Sequence, residues 1–353
     1  MEIKPPESIQ IFGKPVLSKR RTVIGKKESF ELGVPNMQSL ASGLVCDKNN
    51  SVKKVFTSDD PKLRFNVHSA IKPFHAGLLI KENEKANKRF SLTTEELAAL
   101  ASSHSGSKAH IVQIISILEK ANINESVLAT RRPPIDEDTR NSLIRKNPGP
   151  NPLSNLPAYY DQCSGHHSGQ LLRSKLNGFP LEDYNKHDKD LQKLYLRDLI
   201  IYSGDEDAKI VAYDNCKTPT FEVSLPAFAA LYARFLDDED FKPVIDAMIT
   251  HPVLVECDGS LSSELMRVTK GRLVSKGGAE GSIVIMDKKS GDALVLKEWS
   301  GELPFRDRVT IKALEDLRWL KKREAATLFN MKPFALHDED TGIVYELKKK
   351  LWE

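Results

Sequence analysis

The segment GRLVSKGGAEGSIVIMDKKSGDALVLKEW, residues 271–299, limits the possible folds more than any other part of this sequence. It alternates short apolar runs with turns that contain glycine, which is the pattern of consecutive antiparallel strands joined by tight turns. Near the start of the chain, two more strand-like runs flank residues 47–50 and predict a hairpin over 39–57. Strands are therefore expected from both ends of the chain.

Patterns typical of helices fill the middle of the chain. Apolar residues recur at helical spacing in 68–80, and Thr93 with Glu96 has the spacing of a capping box that opens the next helix. Other helical segments are 109–123, GQLLRSKL, KDLQKLYLRDLI, LPAFAALYARFL and FKPVIDAMI, with a strand at 209–214. The sequence predicts an α+β fold in which strands from both ends form one antiparallel sheet covered by helices.

Two segments are expected to lack regular structure. Residues 1–35 mix Lys, Glu, Pro and Gly without periodicity, which predicts an extended or partly disordered lead-in. In 131–157 the prolines are expected to exclude regular elements and to leave a long surface excursion. This excursion fits a domain boundary or a loop within one domain; we expect a single α+β domain over 36–353.

Composition excludes several classes of function. The 52 Lys and Arg residues are interspersed with 49 Asp and Glu residues, so the chain lacks the broad basic face that binds nucleic acid. The amino terminus lacks the apolar run of a signal peptide, and no hydrophobic stretch reaches the length of a membrane span. The four cysteines are too few for a disulfide scaffold. We therefore expect a cytoplasmic protein that binds neither nucleic acid nor a membrane.

Ser69 and Lys72 form an S-x-x-K pair at the start of a predicted helix. Three residues make nearly one helical turn, so the hydroxyl and the ammonium lie on one side. A partly desolvated lysine loses its proton more easily and can act as a base for the serine, while backbone N–H groups stabilise an oxyanion. The spacing also arises by chance, so an ordinary helix start remains open.

Three further places could contribute to a site. The serines and His104 of SSHS, residues 102–105, form either a polar turn with capping residues or part of a pocket. Lys276 closes an apolar strand before two glycines, as a solvated surface charge or as a lysine directed into a site. Asp214 follows a predicted strand, and it could hold a substrate ammonium or simply form a turn.

A metal site is one interpretation of CSGHHSG, residues 163–169. Cys163 and His166 have the C-x2-H spacing of metal ligands on a turn that contains glycine, and Cys216 could supply a third ligand. Three ligands would leave zinc a position for water or another group. In the other interpretation, the cysteines are small buried hydrophobic residues and the histidines cap a helix.

Together these motifs resemble those of the rhizobial-type, thermolabile L-asparaginases, the asparaginase II family. The matching pieces occur in order over roughly 40–300: SAIKP, ASSHSG, CSGHHSGQLL, YDNCKTPTFEVSLPAFAALYARF, HPVLV followed by LMR, and GRLVSKGGAEG. The resemblance implies a fold like that of serine β-lactamases and glutaminases, a homodimer, and hydrolysis of L-asparagine to aspartate and ammonia.

The same resemblance implies roles for individual residues. Two serine–lysine pairs carry over as Ser69 with Lys72 and Ser103 with Lys276. In the mechanism that we expect, Ser69 attacks the amide with Lys72 as base, while Ser103 and Lys276 relay protons and orient the carbonyl. Ser103 remains an alternative nucleophile.

The resemblance also implies a zinc ion held by Cys163, Cys216 and His166, where His166 replaces the family's lysine. Because imidazole is neutral near pH 7, this replacement should preserve metal binding. The residues expected to bind the substrate are Asp214, His68 and His104.

Three positions depart from the family pattern. His68 replaces an arginine, Ser107 replaces an acidic residue, and Asn215 replaces a glycine. If the missing arginine and acid help to bind substrate, asparagine turnover would be weak or directed to another amide. The alternatives to an L-asparaginase are a catalytically weak homologue that binds a small amino acid or a protein partner, and a glutaminase or another amidase.

Overall fold

The computed structural model describes residues 17–21, 37–39, 41–56, 63–85, 88–338 and 343–347 of the chain. Its strands are β1 (Leu17–Arg21), β2 (Met37–Ser39), β3 (Ala41–Cys46), β4 (Val52–Phe56), β5 (Arg64–Asn66), β6 (Lys209–Tyr213), β7 (Pro219–Ser224), β8 (Leu273–Gly277), β9 (Ser282–Asp287), β10 (Asp292–Glu298), β11 (His337–Asp338) and β12 (Ile343–Leu347). Its helices are α1 (Lys72–Lys85), α2 (Thr94–Leu100), α3 (Lys108–Lys120), α4 (Glu137–Lys146), α5 (Ser164–Asn177), α6 (Asp190–Ser203), α7 (Leu225–Asp237), α8 (Lys242–Thr250), α9 (Pro252–Val255), α10 (Leu261–Val268), α11 (Leu303–Asp316) and α12 (Lys322–Phe329).

The central sheet has five antiparallel strands in the order β4, β3, β10, β9, β8. Strands β3 and β4 form the hairpin predicted over 39–57, and β8, β9 and β10 are the strands predicted in 271–299. Strand β3 lies beside β10, with Leu44 opposite Val295. Strands from the two parts of the chain therefore meet in one sheet, as the sequence predicts.

The buried strands of the central sheet contribute to two hydrophobic cores, because successive side chains point to opposite faces. In β9, Val284 and Met286 pack in the larger core, which includes α7. Ile283 and Ile285 pack in the smaller core, which includes α11. The predicted α+β class, with helices covering an antiparallel sheet, is therefore confirmed.

Two smaller sheets complete the strand pairing of the described residues. Strands β5, β7 and β6 form one sheet, and β6 is the strand predicted at 209–214. Strand β1 pairs with β12 and with β2 in the other. Of the lead-in predicted over 1–35, Leu17–Arg21 is a strand and the other residues lie outside the described ones.

The prediction that 131–157 lacks regular elements is wrong, because helix α4 lies within it. The ten residues of α4 lie between Pro134 and Pro148 and contain no proline. Asp136 caps the helix, since its side chain accepts a hydrogen bond from the Thr139 N–H at 2.9 Å. A proline prevents helix formation only around its own position, so a proline-free interval with a good cap remains free to be helical.

The other predicted helices are present, and their packing positions the candidate site. The capping box at the start of α2 is formed: Glu96 N donates to Thr93 Oγ1, and Thr93 N donates to Glu96 Oε2 at 2.7 Å. Helix α5 packs against both α1 and α2. A 3₁₀ turn over His68–Ile71 joins β5 to α1 and contacts β8 and β9. Of the helices in the described segments, none has the length and apolar composition that a membrane crossing needs.

Candidate active site

A cavity of about 480 Å³ brings most of the predicted site residues together. The predicted residues in its lining are His68, Ser69, Ser103, Cys163, Asp214, Cys216 and Lys276. Lys72, His104 and His166 are buried and are not part of the lining. Side chains from the 3₁₀ turn before α1, the α2–α3 loop, the β6–β7 loop and the end of β8 therefore share one space.

Ser69 lies on the 3₁₀ turn before α1, half-buried at the cavity. Gly278, just after β8, packs directly against this turn. A Cβ atom at Gly278 would lie 3.0 Å from the Val67 carbonyl oxygen and 3.1 Å from Ala70 N. The absence of a side chain at Gly278 lets the end of β8, which carries Lys276, approach Ser69.

Lys72 is buried, and its ammonium bonds to Ser103. Nζ donates to Ser103 Oγ at 2.9 Å, to the Ser102 carbonyl oxygen at 2.9 Å and to Cys163 Sγ at 3.2 Å. A lysine ammonium has three donors, and these contacts occupy all three. The structure thus joins Lys72 to Ser103, whereas the resemblance pairs Lys72 with Ser69; Lys72 would have to exchange one contact to bond Ser69.

The backbone of the α2–α3 loop holds Ser103 in place. Ser103 N donates to the Val255 carbonyl oxygen at 2.9 Å, and His104 N donates to the Gln162 carbonyl oxygen at 2.9 Å. The buried His104 ring lies 2.8 Å from Ser164 Oγ, and its Nδ1 accepts from Gly106 N at 3.0 Å. Burial lowers the pKa of His104 well below 6.5. In this geometry the neutral ring connects the loop to α5 beneath the cavity.

Lys276 points inward from β8, and its ammonium contacts Glu256. Nζ donates to Glu256 Oε1 at 2.8 Å and to the Gly277 carbonyl oxygen at 2.6 Å. Burial lowers the pKa of Lys276, and the Glu256 carboxylate opposes that shift. Burial raises the pKa of Glu256, but the charges of Lys276 and Arg306 outweigh it and bring the pKa to about 2. The two side chains form a buried ion pair at the cavity.

His68 and Asp214 form a second pair. His68 Nδ1 lies 2.6 Å from Asp214 Oδ1, and Nε2 lies 3.0 Å from Glu280 Oε2. Burial lowers the pKa of His68, but the two carboxylates outweigh it and raise the pKa above 6.5. The carboxylate that the resemblance assigns to substrate binding is therefore already in contact with an imidazole.

Cys163 and Cys216 lie within hydrogen-bond distance of each other on the cavity wall. Cys163 Sγ also accepts from Lys72 Nζ and from Arg132 Nη2, each at 3.2 Å. The hydrogen bond from Cys163 lowers the pKa of Cys216 to about 7, against the opposing effect of burial. The hydrogen bond from the Cys163 thiol, together with the nearby positive charge of Lys72, thus favours a thiolate at Cys216.

The three predicted zinc ligands do not fit a zinc site in this geometry. His166 lies in the first turn of α5, not on a turn between elements, and its Nε2 lies 3.0 Å from Nδ1 of the buried His75. Among the described residues, no three or more His, Cys, Asp or Glu side chains are arranged to hold a metal ion. Cys163 and Cys216 give two neighbouring sulfur donors, whereas a catalytic zinc site has three protein ligands. The mechanism below therefore takes no step through zinc, which stays a prediction from the resemblance.

The cavity also contains charged residues that sequence reasoning missed. Arg132 Nε donates to Asp161 Oδ2 at 2.9 Å and Nη2 to Asp161 Oδ1 at 3.0 Å, beside Cys163. Arg132 belongs to the segment expected to be a surface excursion, and Arg306 lies beyond the motifs that match over roughly 40–300. Glu256 follows the apolar run HPVLV, and only its position after that run could have drawn attention to it.

Comparisons with known proteins identify related sequences and structures. A protein-family model described as L-asparaginase II matches residues 36–345. A search of curated proteins finds no match. One similar solved structure is a β-lactamase from Mycobacterium bovis, with 14% identity and a TM-score of 0.43 over 76% of this chain and 90% of that one. Another is a β-lactamase/D-alanine carboxypeptidase from Pseudomonas syringae, with 11% identity and a TM-score of 0.42 over 81% of this chain and 95% of that one. An assignment to a family therefore depends on the family model.

Proposed function

Because the chain belongs to the L-asparaginase II family, we propose that it hydrolyses the side-chain amide of L-asparagine to give L-aspartate and ammonia. Family membership supports an amidohydrolase, and L-asparagine is the substrate that we propose for it. The observation that carries the proposal is the cavity that Ser69, Ser103 and Lys276 share, with Lys72 hydrogen-bonded to Ser103. Hydroxyls beside amines are the groups that nucleophilic amide hydrolysis needs.

In the proposed mechanism, Lys72 acts as the neutral amine: Ser69 Oγ attacks the amide carbon, and the Lys72 amine takes the hydroxyl proton and becomes an ammonium. The carbon–nitrogen bond breaks, and ammonia leaves with a proton that passes from Lys72 through Ser103, whose Oγ lies 2.9 Å from Nζ. The Lys276 ammonium donates a hydrogen bond to the oxygen on which negative charge develops. Water then attacks the ester carbon and gives a proton to the Lys72 amine; the bond to Ser69 Oγ breaks, Lys72 returns the proton to that oxygen, and aspartate is released.

Variants of the two serines test this mechanism, because Ser103 is the hydroxyl that Lys72 bonds in the free protein. We expect Ser69→Ala to lower ammonia release from asparagine by at least about 10³-fold and to form no acyl-enzyme. Ser103→Ala should still form an acyl-enzyme, which mass spectrometry should locate on Ser69. Full amidase activity in Ser69→Ala would remove this assignment.

A catalytically weak homologue that binds a small amino acid or a protein partner is the second candidate. The contact between His68 and Asp214 favours it, because the carboxylate proposed to bind the substrate ammonium is already paired. Ammonia release from asparagine and from glutamine, with a chromogenic β-lactam as a third substrate, separates the candidates. No turnover of any of them, together with calorimetric binding of aspartate, would favour the binding protein. Release from glutamine alone would favour a glutaminase.

A zinc ion, a homodimer and a cytoplasmic location stay predictions from the resemblance and the composition. Elemental analysis of the purified protein tests for zinc. If zinc is found, Cys216→Ser is the variant that should lose it, and Cys257→Ser, at another cysteine of the cavity lining, is the matched control. Light scattering tests the dimer.

A further inference from the structure

The Lys276 ammonium is held by a carboxylate that the proposed mechanism does not use. Only 1% of the Lys276 side chain is exposed, and Nζ donates to Glu256 Oε1 at 2.8 Å and to the Gly277 carbonyl oxygen at 2.6 Å. A lysine ammonium has three N–H donors, so these contacts leave one for a group in the cavity that Lys276 lines. The orientation of the ammonium therefore depends on Glu256.

Glu256 is itself fixed by two neighbouring elements. Its Oε1 accepts from Gly277 N of β8 at 2.9 Å and from Ser262 Oγ of α10 at 3.1 Å, and its side chain is 12% exposed. A Cβ atom at Gly277 would lie 2.9 Å from Glu256 Oε1 and 3.0 Å from Arg306 Nη1. Glycine at this position thus allows the carboxylate and the guanidinium to approach the end of β8. Contacts with Gly277 N and Ser262 Oγ therefore hold the Glu256 carboxylate in place without the Lys276 ammonium.

The charges around Lys276 explain why a carboxylate is needed there. The titratable and charged side chains around the pair are Lys72 of α1, His166 of α5, Cys257 beside Glu256, and Arg306 and Asp307 of α11. Burial is the main effect that disfavours the Lys276 ammonium, and the positive charges of Lys72 and Arg306 disfavour it further. Asp307 bonds Arg306, with Nη2 donating to its Oδ1 at 2.6 Å. The Glu256 carboxylate is in direct contact with Lys276, so its charge favours the protonated form of Lys276 against these effects.

We propose that Glu256 is a positioning residue, which holds Lys276 as a fixed ammonium so that Lys276 donates to the substrate and does not act as a base. The role of Lys276 in turnover rests on the proposed function. The pairing can be measured without turnover, because the protonation of Lys276 is observable in the free protein. Glu256 acts through Lys276 and carries no reacting atom.

The variant Glu256→Gln tests this role, because glutamine keeps the shape of the side chain and removes its charge. In protein labelled with ¹³C,¹⁵N-lysine, NMR follows the titration of Lys276, assigned by comparison with Lys276→Arg. We expect the titration midpoint to fall by at least about one pH unit, because burial and the neighbouring cations then act unopposed. For asparagine hydrolysis, kcat should fall about 10²-fold, and the basic limb of its pH profile should move to lower pH by the same amount.

Ser262→Ala is the matched control, because it removes a neutral hydrogen bond to Glu256 and leaves the charge; its midpoint should stay within about half a pH unit of the wild type. Glu256→Asp keeps the negative charge on a shorter side chain, so the Lys276 midpoint should fall by less than in Glu256→Gln. This variant decides the question if Glu256→Gln does not fold. An unchanged Lys276 midpoint in a folded Glu256→Gln protein overturns the proposal, even if the variant is less stable. A wild-type protein that releases no ammonia, while the midpoint shifts as expected, overturns the proposed function and supports the pairing.

Discussion

At the scale of single residues, the cation beside Asp214 is one that can lose its charge. His68 stands where the family commonly has an arginine, and imidazole titrates near neutral pH whereas guanidinium does not. Its contacts with Asp214 and Glu280 raise its pKa above the ordinary value despite its burial. The contact between His68 and Asp214 should therefore depend on pH.

The pKa of His68 gives the sign of a stability effect. Because this pKa is higher in the folded chain than in the unfolded one, the charged pair stabilises the fold fully below about pH 6.5 and loses this contribution as the pH rises through the raised pKa. We expect His68→Gln to lower the free energy of unfolding by about 1–2 kcal/mol at pH 6 and by less at pH 9. Urea unfolding at the two pH values measures the difference.

Glu280→Gln is the control for this prediction. The Glu280 side chain is 61% exposed, so solvent screens its interaction, and its removal should change the free energy of unfolding by less than about 0.5 kcal/mol at either pH. If His68→Gln lowers the free energy of unfolding equally at pH 6 and pH 9, the His68 imidazole is no more protonated in the folded protein than in the unfolded one.

Residues of the candidate site can be predicted from the sequence where a local sequence pattern marks them. Lys276 ends an apolar strand before two glycines, and it does line the cavity. Glu256 and Arg132 carry no such mark, because their importance arises from partners that lie 20 and 31 positions away, Lys276 and Cys163. Pairing across such distances is decided by the packing of elements, which a single sequence does not specify.

At the scale of elements, the start of α5 depends on a close approach to α2. A Cβ atom at Gly165 would overlap the carbonyl oxygen of Ala99 and lie 2.9 Å from Ser102 Oγ. Glycine therefore lets the two helices touch through their backbones. This contact fixes Cys163, at the N-cap of α5, relative to the loop that carries Ser103.

Gly165→Ala should separate these two helices. Backbone atoms cannot yield as a flexible side chain can, so we expect the variant to lower the free energy of unfolding by about 1–3 kcal/mol or more. Ammonia release should fall as well, because Ser102 and Ser103 would shift relative to Lys72. Urea unfolding and the asparagine assay measure the two effects.

Gly169→Ala is the control in the same helix. A Cβ atom there would lie 3.3 Å from Leu100 Cδ2, the end of a flexible side chain. Because alanine favours a helix over glycine by up to about 1 kcal/mol, this variant should be neutral or more stable. If Gly169→Ala lowers the free energy of unfolding as much as Gly165→Ala does, the close approach of α5 to α2 is not the cause of the destabilisation.

Gly165 also explains why the sequence predicts a turn at residues 163–169, where the structure has the start of helix α5. Glycines beside Cys163 and His166 indicate a turn on which two ligands converge, but Gly165 lies inside α5 and serves helix packing. On a helix, His166 faces α1, where His75 contacts it. Periodicity and caps do predict most helices, since these signals are local; the reason for a glycine inside one becomes visible only with its neighbour.

At the scale of the whole molecule, the central sheet joins residues 41–56 to residues 273–298, and the cavity draws on elements from both cores. Ser103 follows α2, whose apolar residues pack in the larger core, while Lys276 comes from β8, which contributes to both. The sequence predicts that strands from the two parts meet. It does not predict how the sheet divides two cores, because strands buried on both faces lack the alternation that tells one face from the other.

This shared sheet predicts that the two cores unfold together, as expected of a single domain over 36–353. Phe228 of α7 is fully buried in the larger core, and Leu314 of α11 is fully buried in the smaller one. We expect Phe228→Ala to lower the free energy of unfolding by about 3–5 kcal/mol and Leu314→Ala by about 2–5 kcal/mol. Each variant should still unfold in one transition, with coincident midpoints by far-ultraviolet circular dichroism and by the fluorescence to which Trp319 of the smaller core contributes. Ile285 and Met286 are neighbours on β9 that face different cores, so this strand should couple the unfolding of the two cores. Two separate midpoints in either variant would mean that the cores unfold as independent units.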